Sequence, residues 1–173
     1  MASLHTAEPL FLFNRSGNRP SQEGADVWLD KAVGFARRAG FRKILLRGDT
    51  KFAQTKYLDR WDEAKDVRFI FGYEAHDSLK ARADELPARA YRLLNRPPRY
   101  AIKTAPRRKP ERVKPAIVRQ RGYENIELLE EMVAEFDYRP VACRKSYRMV
   151  VLRKRVGVDK GQLRLFEEYR YFF

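Results

Sequence analysis

A chain of 173 residues with 44% hydrophobic content carries enough apolar side chain for a real core, which excludes wholesale disorder. A formal charge of +14 and a pI near 10.1 point to a polyanionic partner, nucleic acid before anionic membrane. No apolar run approaches the roughly 20 residues of a membrane helix and the start lacks a signal-peptide pattern, so a cytoplasmic protein with no membrane contact is expected.

In chain order, Leu10 to Phe13 reads as a strand that ends in the polar loop Asn14-Arg-Ser-Gly-Asn-Arg-Pro. A helix then opens near Ser21 or Gly24. Trp28, Ala32, Phe35, Ala36 and Ala39 share one of its faces, expected to pack on a sheet, and Gly40 stands where a left-handed C-terminal cap belongs. Lys43 to Arg47 is a second strand. Its unbroken Ile44-Leu45-Leu46 suggests burial on both faces, and Gly48 breaks it. Asp49 follows, where ligands bind in open α/β sheets, beyond the carboxyl ends of the strands. A short helix over 55–64, a strand at Val67 to Phe71 and a helix from Ser78 to Leu86 complete the alternation. The order implies a largely parallel sheet with helices on its faces, an α/β unit over residues 1–90.

Residues 91–173 read differently. They hold +11 of the net charge against +3 for residues 1–90. From Arg92 to Arg121 eleven basic residues meet only Glu111, and Pro97, Pro98, Pro106, Pro110 and Pro115 forbid one long helix. Strands are expected at 100–103, 116–119, 141–143, 147–152 and 164–173, with a helix at 125–136, giving a β-rich basic unit. The lone Cys143 cannot form an internal disulfide and reads as a small core residue. His5 and His76 are too few and too far apart for zinc and read as surface, whereas Trp28 and Trp61 read as core.

Several segments together resemble the DDE transposases of bacterial insertion sequences. They are Glu8-Pro-Leu-Phe-Leu-Phe-Asn-Arg-Ser-Gly-Asn-Arg-Pro-Ser, Ala39-Gly-Phe-Arg, Leu45-Leu-Arg-Gly-Asp-Thr, Phe69-Ile-Phe-Gly-Tyr, Glu135-Phe-Asp-Tyr-Arg-Pro, Tyr147-Arg-Met-Val-Val-Leu-Arg-Lys and Tyr171-Phe-Phe. The likeness spans nearly the whole chain. It implies an RNase H-like domain, here incomplete, with a β-rich insertion over 91–173. Three acids of that fold hold two Mg2+ ions for hydrolysis and strand transfer at phosphodiesters of transposon-end DNA. Magnesium is a hard cation that prefers oxygen ligands, and two metals stabilise both attacking and leaving oxygens.

Asp49 matches the second acid of that triad. The first would lie upstream of the matched residues and the glutamate downstream, so the resemblance implies a central fragment, inactive alone, whose sheet lacks the strands between Leu10–Phe13 and Lys43–Arg47. Lys51 departs from the family, which usually has Asp or Gly there, and an ammonium competes with metal for the carboxylate. The resemblance also implies self-association or pairing with an intact transposase, and a nucleoid-associated location.

The residues leave alternatives open. Asp49 is either a metal ligand or an ordinary turn acid, and Glu74 either shares a metal with it or is a solvated loop acid. Arg15 and Arg19, beside Asn14 and Asn18, either contact phosphate or belong to a polar loop. Within the basic segment Arg107, Arg108, Lys109, Arg112, Lys114, Arg119 and Arg121 are the DNA-contact candidates. Tyr91, Tyr100 and Tyr123 either stack on bases or pack in the core. Rival functions are a non-catalytic DNA-binding module that inhibits transposition, and a basic RNA-binding protein of the ribosomal type. The latter leaves the Leu-Leu-Arg-Gly-Asp-Thr strand end unexplained.

Overall fold

A left-handed glycine stands at each end of helix α1 (Ala25–Arg38): Gly24 at its N-cap with φ 67° and Gly40 beyond its last turn with φ 88°. The computed structural model to which this helix belongs describes residues 9–14, 16–20, 22–95, 113, 116–117, 124–160 and 163–173. It combines helices and strands in two compact units, Met1–Glu74 with Tyr138–Tyr147, and Ala75–Asp137 with Arg148–Phe173.

In the first unit, strands β1 (Ile44–Gly48) and β2 (Val67–Phe71) pair in parallel, from Ile44 opposite Val67 to Gly48 opposite Phe71. A parallel pair needs a crossover. Two 3-10 turns, Thr50–Phe52 and Thr55–Tyr57, and helix α2 (Leu58–Glu63) supply it. Leu46 and Val67 are buried on one face of the pair, in a core with Leu29 and Val33 of α1, Leu58 and Trp61 of α2, and Cys143. The expectation for Cys143 and Trp61 as core residues agrees with this packing.

Four expectations are corrected in this unit. Burial of β1 on both faces does not occur: Leu45 is 51% exposed and Ile70 59%, because α1 and α2 cover one face of a sheet that has two strands among the described residues. The same two-strand sheet replaces the larger parallel one. Leu10 to Phe13 forms no strand, and the Phe11 and Phe13 rings instead lie 5.2 and 4.1 Å from that of Trp28. On α1 the buried stripe is Ala25, Leu29, Ala32 and Val33, leaving Trp28 half-buried on the flank and Phe35 50% exposed. Both stripes fit a helical period, and the sheet selected the one with two branched aliphatics.

The second unit contains helix α3 (Asp77–Asp84) and a sheet of order β3-β4-β5-β6. Its strands are β3 (Arg92–Leu93), β4 (Glu124–Tyr138), β5 (Tyr147–Lys160) and β6 (Leu163–Phe172), with β3 antiparallel to β4 and β5 antiparallel to β6. Ala83, Tyr91, Ala134 and Val151 form its core, flanked by Met132, Phe136 and Tyr171. Helix α3, which follows the α/β alternation in sequence, thus packs with the β-rich unit, and the β4–β5 connection returns to the first unit.

The strand expected at 147–152 is present within the longer β5, and the one expected at 164–173 is β6, displaced by one residue. The helix expected at 125–136 is instead part of β4. Its Glu, Leu, Met and Ala favour helix, but Ile126, Leu128, Met132, Ala134, Phe136 and Tyr138 also alternate to one face, and sheet pairing decided between the periods. Val141 to Cys143 is a turn, with Cys143 N–H donating to Pro140 O at 2.9 Å and Val141 fully exposed. Of the strand expected at 116–119, Ala116 and Ile117 are helical, a short apolar run being ambiguous between the two states. The strand expected at 100–103 lies outside the described residues. Among the described residues no helix is long and apolar enough to cross a membrane.

Candidate active site and nucleic-acid surface

Asp49 leaves the end of β1 in an extended conformation and caps the 3-10 turn that follows, its Oδ1 accepting the Lys51 backbone N–H at 3.0 Å. It is exposed, at the carboxyl end of a parallel pair, where the sequence reading puts it. Two glycines allow this loop to fold back over β2. A Cβ on Gly48 would stand 2.7 Å from Phe52 Cβ, and one on Gly72 would stand 2.9 Å from Thr50 N. Gly72 N–H donates to Gly48 O at 3.2 Å and closes the same corner. Glu74 lies just past it and is exposed.

The carboxylate of Asp49 therefore already has a backbone donor, as a turn-capping acid does. Among the described residues no three His, Cys, Asp or Glu side chains converge on a point that could hold a metal. Asp49 and Glu74 by themselves do not fit the three-acid, two-magnesium site that the resemblance implies.

Of the basic candidates, Arg19 is described: it is exposed and paired with Glu23 at 2.7 Å, one turn away. Arg15, Arg107, Arg108, Lys109, Arg112, Lys114, Arg119 and Arg121 lie outside the described residues, as do Tyr100, Tyr123 and His5. Tyr91 is a core residue. It is 6% exposed, donates its hydroxyl to Ala83 O at 2.8 Å and carries the Arg153 guanidinium 3.6 Å from its ring centre, which removes it from the base-stacking candidates.

Sequence reasoning missed a basic surface on the first unit. Arg47 and Arg68 share the uncovered face of β1–β2 with Leu45 and Ile70, and neither makes an ion pair among the described residues. The signal was the alternation in Val67-Arg68-Phe69-Ile70-Phe71, obscured in β1 by three consecutive aliphatics.

It also missed Asp59, the acid with the densest polar surroundings in the unit. Asp59 accepts from the Arg144 backbone N–H at 2.7 Å and from the Tyr147 hydroxyl at 2.6 Å. The Arg144 amide chiefly, with the phenol, holds its carboxyl below the usual carboxylate range. Nearby, Lys145 pairs with Asp62 at 2.8 Å and the Cys143 thiol faces Thr55 O at 3.1 Å. These contacts pin the β4–β5 connection to α2 and are structural. Tyr73, pushed up to about 12 by burial first and by Tyr138, belongs to the same unit.

A groove of about 600 Å³ runs along α1, lined by Val27, Asp30, Lys31, Phe35 and Arg38 with Phe11, and Asp49 takes no part in it. Comparisons of this chain with protein-family models, curated proteins and solved structures found no match.

Proposed function

We propose that this chain carries the Asp49-bearing part of an RNase H-like DDE transposase, together with its basic β-rich insertion, and that it binds DNA chiefly through phosphates. The observation that carries this reading is the position of Asp49 beyond the carboxyl end of a parallel strand pair, with the sequence Leu-Leu-Arg-Gly-Asp-Thr around it. The charge of +14, most of it in residues 91–173, supports a nucleic-acid partner. Arg47 and Arg68 add cations on the uncovered sheet face. Intact relatives of the resembled family cut and join DNA with Mg2+. This chain supplies one acid of such a triad and does not cleave DNA by itself.

A second reading, a non-catalytic DNA-binding module that interferes with transposition at transposon ends, is favoured by the commitment of the Asp49 carboxylate to the Lys51 amide. Two measurements on the purified chain test these readings. Duplex binding titrated at several salt concentrations should weaken steeply with salt, and a flat response would remove DNA from the account. Incubation with supercoiled plasmid and magnesium or manganese should leave it intact. Nicking that Asp49→Ala abolishes would overturn the claim of inactivity and bring Glu74 forward as a partner ligand.

A further inference from the structure

Among the described residues, strand β6 is an edge. In the order β3-β4-β5-β6 it pairs with β5 on one side, and among the described residues no strand lies on the other. An edge of this length presents a row of unpaired backbone groups, which proteins commonly blunt with proline, lysine or unbalanced charge. Leu163–Phe172 contains neither proline nor lysine, and its two arginines and two glutamates balance. Phe166, Tyr169 and Phe172 are 53%, 50% and 50% exposed on this strand.

We infer that the occupant of this edge is a second copy of the same strand, paired antiparallel about a two-fold axis at Tyr169. A two-fold that joins two edges into one sheet stands perpendicular to it, and side chains alternate with a period of two, so the axis passes through a residue opposed to itself. With the axis at Tyr169, Glu168 of each copy faces Arg170 of the other, Phe166 faces Phe172, and Glu167 faces Tyr171. Opposite charges and aromatic pairs placed directly across an antiparallel ladder stabilise it, and like charges there destabilise it. An axis at Glu167, Glu168 or Arg170 opposes like charges, and one at Tyr171 sets Arg170 against Phe172. Within one copy Arg170 Nε already donates to Glu168 Oε1 at 2.7 Å, so the two pairs form an alternating four-charge cluster across the axis. This inference does not depend on the transposase reading.

Charge exchange in the full-length chain tests it. The native chain should sediment at twice the chain mass of 20.5 kDa. Glu168→Arg and Arg170→Glu, each alone, should be monomeric, because each opposes like charges at both pairs. Mixing the two variants should restore the doubled mass as a heterodimer, which also shows that both are folded. Independently, Tyr169→Cys should cross-link under a mild oxidant whereas Phe166→Cys should not, since residue 166 faces 172 and not itself. A monomeric native chain at its highest soluble concentration, a dimer unaffected by either charge reversal, or a mixture that stays monomeric would overturn the proposal. A dimer abolished instead by Leu45→Arg would assign the interface to the uncovered face of β1–β2 and overturn it as well.

Discussion

Gly72 and Asp59 show how single residues shape the corner that carries Asp49. A methyl group on Gly72 would press on the Thr50 backbone nitrogen, which no side-chain rotation relieves. Gly72→Ala should therefore destabilise the chain by about 1–3 kcal/mol, read as a lower denaturation midpoint. Gly17→Ala, with open space around it, serves as the neutral comparison.

Asp59 gives the acid limb of stability its direction. Its carboxyl is held low in the folded state by the Arg144 amide first and then the Tyr147 hydroxyl, so its contribution is full above the unfolded value near 3.9 and fades as pH falls through the lower folded value. Asp66, held low by Arg37, and Glu135, held low by Arg148, act in the same sense. At the other end burial first, and then Asp59, raises the Tyr147 phenol, so stability should decline as pH rises past the ordinary tyrosine value of about 10. Thermal unfolding across pH checks both limbs. Asp59→Asn should flatten the acid limb, and an unchanged limb would remove Asp59 as a contributor.

At the scale of the element, β1 separates two kinds of leucine that the sequence does not distinguish. Leu46 is 6% exposed against α1 and α2, while Leu45, its neighbour, is 51% exposed on the uncovered face. Leu46→Ala should cost about 2–5 kcal/mol, and Leu45→Thr should stay within about 0.5 kcal/mol. Equal losses at the two sites would show that β1 is covered on both faces after all. Trp61 of α2 is 3% exposed and donates its indole N–H to Asp30 of α1 at 2.9 Å, so its loss removes ring packing and a helix-to-helix bond together. Trp61→Ala should cost about 3–5 kcal/mol by chemical denaturation. The surface pairs around it, such as Arg60 with Asp30, contribute far less.

For the whole molecule the governing quantity is net charge and its placement. Phosphate neutralisation releases counterions, so the logarithm of the duplex binding constant should fall linearly with the logarithm of salt, by roughly 0.9 for each phosphate contact. Neutralising Arg107, Arg108 and Lys109 together should reduce that slope, as should Arg47→Gln with Arg68→Gln. If neither set changes the slope, binding runs through other cations. Excess charge of one sign also repels within the chain, so added salt should raise the melting temperature of the free protein.

Composition and local pattern were sufficient for part of this. The α1 stop at Gly40 and a start near Ser21 or Gly24, strands at 43–47 and 67–71, helices over 55–64 and 78–86, and strands at 147–152 and 164–173 follow from periodicity and glycine chemistry, which act over a few residues, and each overlaps an element of the structure. Asp49 was legible for the same reason, as the acid after a strand-ending glycine. What the sequence left undecided was settled by long-range pairing. Residues 125–136 satisfy the helical and the strand period alike, and only neighbouring strands choose between them. The buried stripe of α1, the uncovered side of β1, the docking of Arg144 and Tyr147 on Asp59 and the burial of Tyr91 depend on contacts between residues far apart in the chain. Such contacts leave no local period, because tertiary packing selects one of several faces that the same spacing allows.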